Sequence, residues 1–364
     1  MRSTRISIFV ITLLLIGIGV VMIYSASSIS MWQSTGESAG LLKKQLFYLV
    51  VGFIAMFVSM AIDYQLLRKI VKPLFIAAII PLILVLVPGI SHEAGGAKRW
   101  LHLFGLNYQP SEFVKIALII YMADFITRKN RVLKNFWQGF APPMIILGFV
   151  TLLVLMQPDL GTAISFVVLV FVMLFISGTR PVHLFSSMLA AMPFLYLLVF
   201  SVPYRRARIL AFLNPWLDPK GGGFQIIQSQ IALGSGGLFG VGLGQGRQKL
   251  FYLPAAHTDF IFSIIGEELG LLGTIAVIVL LIVLIWKMSR IVYLVKEPFG
   301  KLICAGVLTL ISFSSVVNIG VSIGSLPTKG LPLPFISYGG SSLIFHMVAV
   351  GLLLNVSKQE DAAL

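Results

Sequence analysis

Ile6-Ser-Ile-Phe-Val-Ile-Thr-Leu-Leu-Leu-Ile-Gly-Ile-Gly-Val-Val-Met-Ile-Tyr-Ser-Ala-Ser-Ser-Ile29 carries no charge from end to end. About 20 apolar residues suffice for a helix to cross the hydrocarbon core of a bilayer. The run follows Arg2 and Arg5. It is longer than a signal-peptide core and lacks a convincing cleavage site, so it is expected to stay as a first membrane helix. Nine more apolar stretches follow: Gln45–Ile62, Pro73–Pro88, Ser111–Thr127, Pro142–Met156, Leu160–Ser177, Val182–Val202, Asp259–Met288, Gly300–Ser325 and Phe335–Val356. The third and fifth of the ten are short.

Composition agrees. Of 364 residues, 58% are hydrophobic and 11% charged; the mean hydropathy is +0.98. A soluble domain carries about 25% charged residues, so this chain has too little polar surface to coat a globule. The expectation is an all-α integral membrane protein of about ten transmembrane helices. It forms one polytopic membrane domain over 1–364, with no internal repeat. Cys304 is the sole cysteine, which excludes an intrachain disulfide.

Basic residues set the orientation. With the N-terminus inside, 15 lysines and arginines fall in cytoplasmic segments and 5 in short outer loops (Lys43, Lys44, Lys98, Arg99, Lys329). That bias follows the positive-inside rule and places both termini in the cytoplasm. It also accounts for most of the net charge of +14 without nucleic acid. A large extracytoplasmic loop, 203–258, separates helices 7 and 8. It holds Arg205, Arg206, Arg208, Lys220, Arg247 and Lys249 against one acid, Asp218. Such a segment suits either anionic headgroups or a phosphorylated, membrane-bound substrate.

Chemistry concentrates around this loop. His257-Thr-Asp-Phe-Ile-Phe-Ser-Ile-Ile-Gly-Glu-Glu-Leu-Gly270 leads into the eighth span. Asp259 stands at the water–bilayer boundary, as a helix-start carboxylate or as a reactive one. Ser263, Gly266, Gly270 and Gly273 lie within about 40° of it on a helical wheel. Such a stripe of small residues either packs a neighbour closely or leaves a ligand groove. Glu267 and Glu268 follow; acids this deep pair or act. Glu112 and Lys115, in Gln109-Pro-Ser-Glu-Phe-Val-Lys115, suit an i,i+3 pair. Asp159 suits an N-cap. His257 is two residues from Asp259 and could tune it. Gly234–Gly246 lacks a nucleotide-loop ending; it is a tight turn or a backbone cradle for a diphosphate. Gln225 in the loop, and Ser337, Tyr338, Gly339, Gly340 and Ser341 before the last span, are candidate cavity residues. The five histidines have no zinc spacing.

These segments, with Tyr24–Ser27, Gln157–Thr162, Asn214–Pro219 and Lys329–Ser342, resemble the SEDS family (shape, elongation, division and sporulation), most closely its division and sporulation branch. The resemblance runs along nearly the whole chain. It implies a ten-helix fold in the bacterial cytoplasmic membrane. It also implies a peptidoglycan glycosyltransferase that polymerises lipid II into glycan strands at the outer face, with Asp259 as the essential aspartate and Glu112–Lys115 as the family's ion pair. Arg205, Arg206, Arg208, Arg247, Lys249 and Lys329 are then candidates for the substrate diphosphate. A divalent cation, Mg²⁺ or Mn²⁺, is implied with its ligands left open, Asp259 among them. The implied partners are lipid II with its growing strand and a class B penicillin-binding protein, a transpeptidase. The alternative from another class is a lipid II flippase.

Overall fold

The computed structural model describes residues 1–89, 91–94, 97–103, 106–328 and 330–363. Among them the helices are α1 (Arg2–Thr35), α2 (Gly40–Ala61), α3 (Tyr64–Lys69), α4 (Val71–Leu84), α5 (Pro110–Lys129), α6 (Ala141–Leu155), α7 (Leu160–Ile176) and α8 (Pro181–Phe200). There follow α9 (Pro203–Leu213), α10 (Phe224–Ser235), α11 (Ile261–Leu294), α12 (Pro298–Ser322) and α13 (Gly340–Ala363). By length and composition, seven helical segments can cross a membrane: α1, α2, α6 with the turn before it, α8, α11, α12 and α13. The protein is a multi-pass membrane protein. Each of the ten apolar stretches falls on a helix. α4 and α7 are shorter apolar helices, and α5 carries Glu112, Lys115 and Asp124 among its apolar residues.

Burial separates centre from rim. Of the apolar stretch of α13, 83% is buried within the protein, against 11% for α8. α13 runs along α2, where glycines permit close contact: a Cβ on Gly351 would lie 2.6 Å from the Met56 carbonyl oxygen. At the far end, the N-terminal amine and Arg5 meet Asp361 at 3.4 and 2.7 Å. The two termini therefore share one side of the molecule.

Three features depart from a plain helical bundle. β1 (Ser91–Ala94), β2 (Ala97–Leu103) and β3 (Leu106–Tyr108) form an antiparallel sheet in that order between α4 and α5. Next, 203–258 is not a simple loop, because it contains α9 and α10. Finally, α11 is broken at Gly270 (φ 68°, ψ −163°). The break frees backbone groups on both sides, and the glycine-rich segment satisfies them. Val241 and Gly242 N–H donate to the carbonyls of Glu267 and Glu268, while Leu271 and Leu272 N–H donate to Gly237 and Leu238. Broken backbone at membrane depth persists only when re-paired in this way.

The same contact decides the role of the small-residue stripe. α10 lies on it: Ser229 Oγ is 2.6 Å from Ser263 Oγ, and a Cβ on Gly236 would sit 1.9 Å from the Gly266 carbonyl oxygen. The stripe packs a neighbour rather than lining a groove.

Candidate active site

Asp259 sits one turn ahead of α11. The N–H groups of Thr258, Asp259 and Phe260 converge on the Ala255 carbonyl, a tight turn that places Ala255 at φ 56°. The segment before α13 holds this turn in place. Tyr338 N–H donates to the His257 carbonyl (2.9 Å), and Ser337 Oγ donates to that of Thr258 (2.6 Å). Asn318 Nδ2, from α12, donates to the carbonyls of Asp259 (3.0 Å) and Leu331 (2.9 Å). Backbone pairing thus fixes the turn, and Asp259 lines a cavity.

That cavity, about 320 Å³, is walled by Tyr48, Trp100, Asn107, Gln109, Tyr338 and Ser342, with Gly339 and Gly340. We term it the aspartate chamber. A smaller chamber of about 120 Å³ adjoins it and shares Arg99, Asp159 and Gly330. This arginine chamber is walled by Arg205 and Arg208 of α9, and by Val199, Val202 and Ile209. Arg205 donates to the Leu198 carbonyl (2.9 Å) and Arg208 to that of Thr328 (3.3 Å). Two cations and an apolar wall thus stand beside a carboxylate.

Arg99, on β2, joins the chambers. It donates to the Gln157 carbonyl (3.1 Å) and to that of Pro158, and lies 3.9 Å from Asp159. Asp159 caps α7 by accepting from Thr162 N–H (3.1 Å) and Oγ1 (2.8 Å). Burial pushes the Asp259 carboxyl up to about 6, the guanidinium groups of Arg208 and Arg99 hold it down, and Asp159 raises it. Burial raises the Tyr338 phenol to about 12, so it remains a hydrogen-bond donor. Burial lowers the His257 imidazole, which favours its neutral form.

Other expected residues stand elsewhere. Arg206 is exposed and lines neither chamber. Arg247 borders a separate pocket with Gln245 and Glu267. Lys249 is no diphosphate ligand in this arrangement: it is buried, 2.6 Å from Glu268 and 2.9 Å from Ser25. Glu267 accepts from the N–H groups of Arg247 (2.7 Å) and Gln248 (3.1 Å), so it holds the glycine-rich segment. Gln225 and His257 line neither chamber; His257 packs edge-on against Tyr338 at 5.7 Å. Ser337 and Ser341 are spent on backbone, Ser341 between Gln109 N–H (2.9 Å) and the Asn107 carbonyl (3.2 Å). Glu112 and Lys115 pair at 2.7 Å, are buried, and line neither chamber. Lys329 lies outside the described residues. Sequence reasoning missed Arg99, Tyr48, Trp100 and Asn107 as cavity residues. The charge of Arg99, in a connection between two apolar stretches, was the one available signal.

A bundle of membrane-spanning helices with the carboxylates of Asp259 and Asp159 beside a cationic, partly apolar cavity defines a membrane enzyme. Its family can be stated: the chain belongs to the FtsW/RodA/SpoVE family of cell cycle proteins, whose model matches residues 5–362. It is 48% identical to a probable peptidoglycan glycosyltransferase FtsW of Geobacter metallireducens, over 94% of this chain and 91% of that one. It is 43% identical to the stage V sporulation protein E of Bacillus subtilis, over 98% and 97%. Among solved structures it resembles a chain of a peptidoglycan synthase complex (TM-score 0.77, 30% identity, 97% of both chains). It also resembles the rod shape determining protein RodA of Thermus thermophilus (TM-score 0.69, 28% identity, 97% and 96%).

The expected divalent cation can be weighed against the donors present. Among the described residues no group of three carboxylate, histidine or cysteine side chains converges. Asp259 and Asp159 are the carboxylates of the two chambers, and Asp159 is engaged in capping. This set does not fit a cation caged by protein alone, and the mechanism below routes no step through one.

Proposed function

We propose that this protein is a peptidoglycan glycosyltransferase that polymerises lipid II at the outer face of the bacterial cytoplasmic membrane, in septal or spore-wall synthesis. The observation that carries the reading is the Asp259 carboxylate. Its pKa is raised to about 6, it faces a chamber large enough for sugar atoms, and Arg99 and Arg208 flank it. A base poised near neutral pH is ionised when needed and still accepts a proton in the transition state.

The reaction assigns each group a task. Asp259 takes the proton of the acceptor's GlcNAc 4-hydroxyl. That oxygen forms a bond to C1 of the donor MurNAc on the face away from the leaving group. The C1–O bond to the diphosphate breaks with inversion, and undecaprenyl diphosphate departs with both electrons. Arg205, Arg208 and Arg99 stabilise the charge that develops there. Val199, Val202 and Ile209 offer apolar contact to the first isoprene units, so the lipid stays in the bilayer while its sugars react.

Ten membrane-spanning helices, with both termini in the cytoplasm, fit the ten apolar stretches and the meeting of Arg5 with Asp361. That topology puts Asp259 outside. A class B penicillin-binding protein is the expected partner, consistent with the structural relative being a chain of a synthase complex. The test is purified protein with its transpeptidase, given lipid II in liposomes that score polymer and lipid translocation separately. Asp259→Asn is expected to cut polymer synthesis by ~10²–10⁴-fold, the span of a positioned general base. Polymer made at the parental rate by a normally folded variant would refute the base assignment. Translocation without polymer would favour a flippase.

A further inference from the structure

α9 presents two faces. Arg205, Arg208 and Ile209 wall the arginine chamber. Arg206, Leu210 and Leu213 follow i, i+4, i+7 spacing and lie within about 60° of one another, turned roughly 110° from the chamber stripe. All three are exposed. The exposed apolar surface continues past the helix. Leu210 is 45% accessible and Leu213 71%; in the following turn Trp216 is 67% accessible and Leu217 77%. Four large apolar side chains on an otherwise basic segment are costly in water.

The position of the helix indicates what covers them. α9 starts three residues after α8, a helix long and apolar enough to cross the bilayer. It packs on α8 and the Pro215–Leu217 turn. A short amphipathic helix at the end of a span, with arginine on its polar edge and tryptophan beside its leucines, has the composition of a helix lying in the headgroup layer. Cations outnumber acids on this surface: Arg206 and Lys220 are exposed with Asp218, the one acid between 203 and 258, and the Asp218 carboxylate is turned to the Gly221 and Gly222 N–H groups (3.0 and 2.7 Å).

We infer that the outward face of α9, with Trp216 and Leu217, docks on the outer-leaflet headgroups and prefers anionic phospholipid. Leu210, Leu213, Trp216 and Leu217 enter the acyl boundary, while Arg206 and Lys220 meet lipid phosphates. The opposite arginines remain for the chamber. This inference stands apart from the catalytic reading, because its readout is lipid contact.

The experiment uses the full chain reconstituted in vesicles containing acyl-brominated phosphatidylglycerol or acyl-brominated phosphatidylcholine. The Trp216 signal is the emission lost in Trp216→Phe. It should be quenched in both vesicles, several-fold more by the brominated phosphatidylglycerol. The double variant Arg206→Gln/Lys220→Gln should lose that preference and keep the quenching by phosphatidylcholine. An unchanged melting temperature and unchanged emission from the other tryptophans control for folding. No quenching of Trp216 in either vesicle, as when a partner protein or water covers the face, would overturn the proposal. So would equal quenching by the two lipids in the parent chain.

Discussion

A carboxylate that ionises near 6 ties rate and stability to pH in opposite directions. If Asp259 is the base, the logarithm of kcat/KM should fall by about one unit per pH unit below pH 6, and level off above it. Polymerisation at fixed lipid II from pH 4.5 to 8 checks this. The folded-state pKa of Asp259 lies above its ordinary value of 3.8. The stability tied to its protonated form is therefore complete below about 4 and is lost as pH rises through 6. Asp259→Asn should thus be inactive yet melt no lower than the parent at pH 7.5. The buried Lys249–Glu268 pair is structural. Lys249→Met strands a fully buried carboxylate, and breaking such a pair costs about 3–5 kcal/mol. A large drop in melting temperature is expected; an unchanged one would contradict the pairing. Asp259 was legible as a carboxylate just before a helix because an acid ahead of a long apolar run stands out against its neighbours. Lys249 was not, since its neighbours in the chain are loop residues and its partner is 19 residues away on another element.

Elements show the same division between local and tertiary information. The long apolar helices were readable because hydropathy accumulates over many residues. The break in α11 was not, because the pairing that satisfies it comes from a distant segment. A side chain at φ 68° is strained, and a Cβ on Gly270 would lie 2.3 Å from the Gly240 nitrogen. Gly270→Ala should therefore destabilise by at least about 1–3 kcal/mol, measured by thermal unfolding in detergent. Gly340 works against the chamber wall. A Cβ there would fall 2.4 Å from the Tyr48 ring, whose hydroxyl accepts from Asn107 N–H (3.2 Å). Gly340→Ala should push Tyr48 out of place and lower kcat/KM by about tenfold or more, with a smaller effect on melting, since overpacking costs about 1–3 kcal/mol. The sheet between α4 and α5 escaped notice because its strands are short and lie within a connection between two apolar stretches.

For the whole molecule, the question is how charges from separate regions meet. Arg99 comes from the sheet, Arg205 and Arg208 from α9, Asp159 from the start of α7, and Asp259 from the turn before α11. Spacing along the chain does not reveal that set, and only its sign, an excess of outer cations, was visible in the sequence. If these arginines hold the diphosphate, Arg205→Glu/Arg208→Glu should raise KM for lipid II more than it lowers kcat, and added salt should narrow the gap. Initial rates at two ionic strengths test this.

The splice between α11 and the segment before it also bears on biogenesis. Residues 237–242 leave the ribosome before 267–272, yet the amides of Val241 and Gly242 and the carbonyls of Gly237 and Leu238 pair with that later stretch. The earlier stretch must therefore wait in a hydrated setting until its partner is synthesised. Lys249, likewise, reaches Ser25 and Glu268, one made long before it and one just after. Membrane insertion of this region is consequently not a procession of independent hairpins: its final seating follows translation of the eighth apolar stretch.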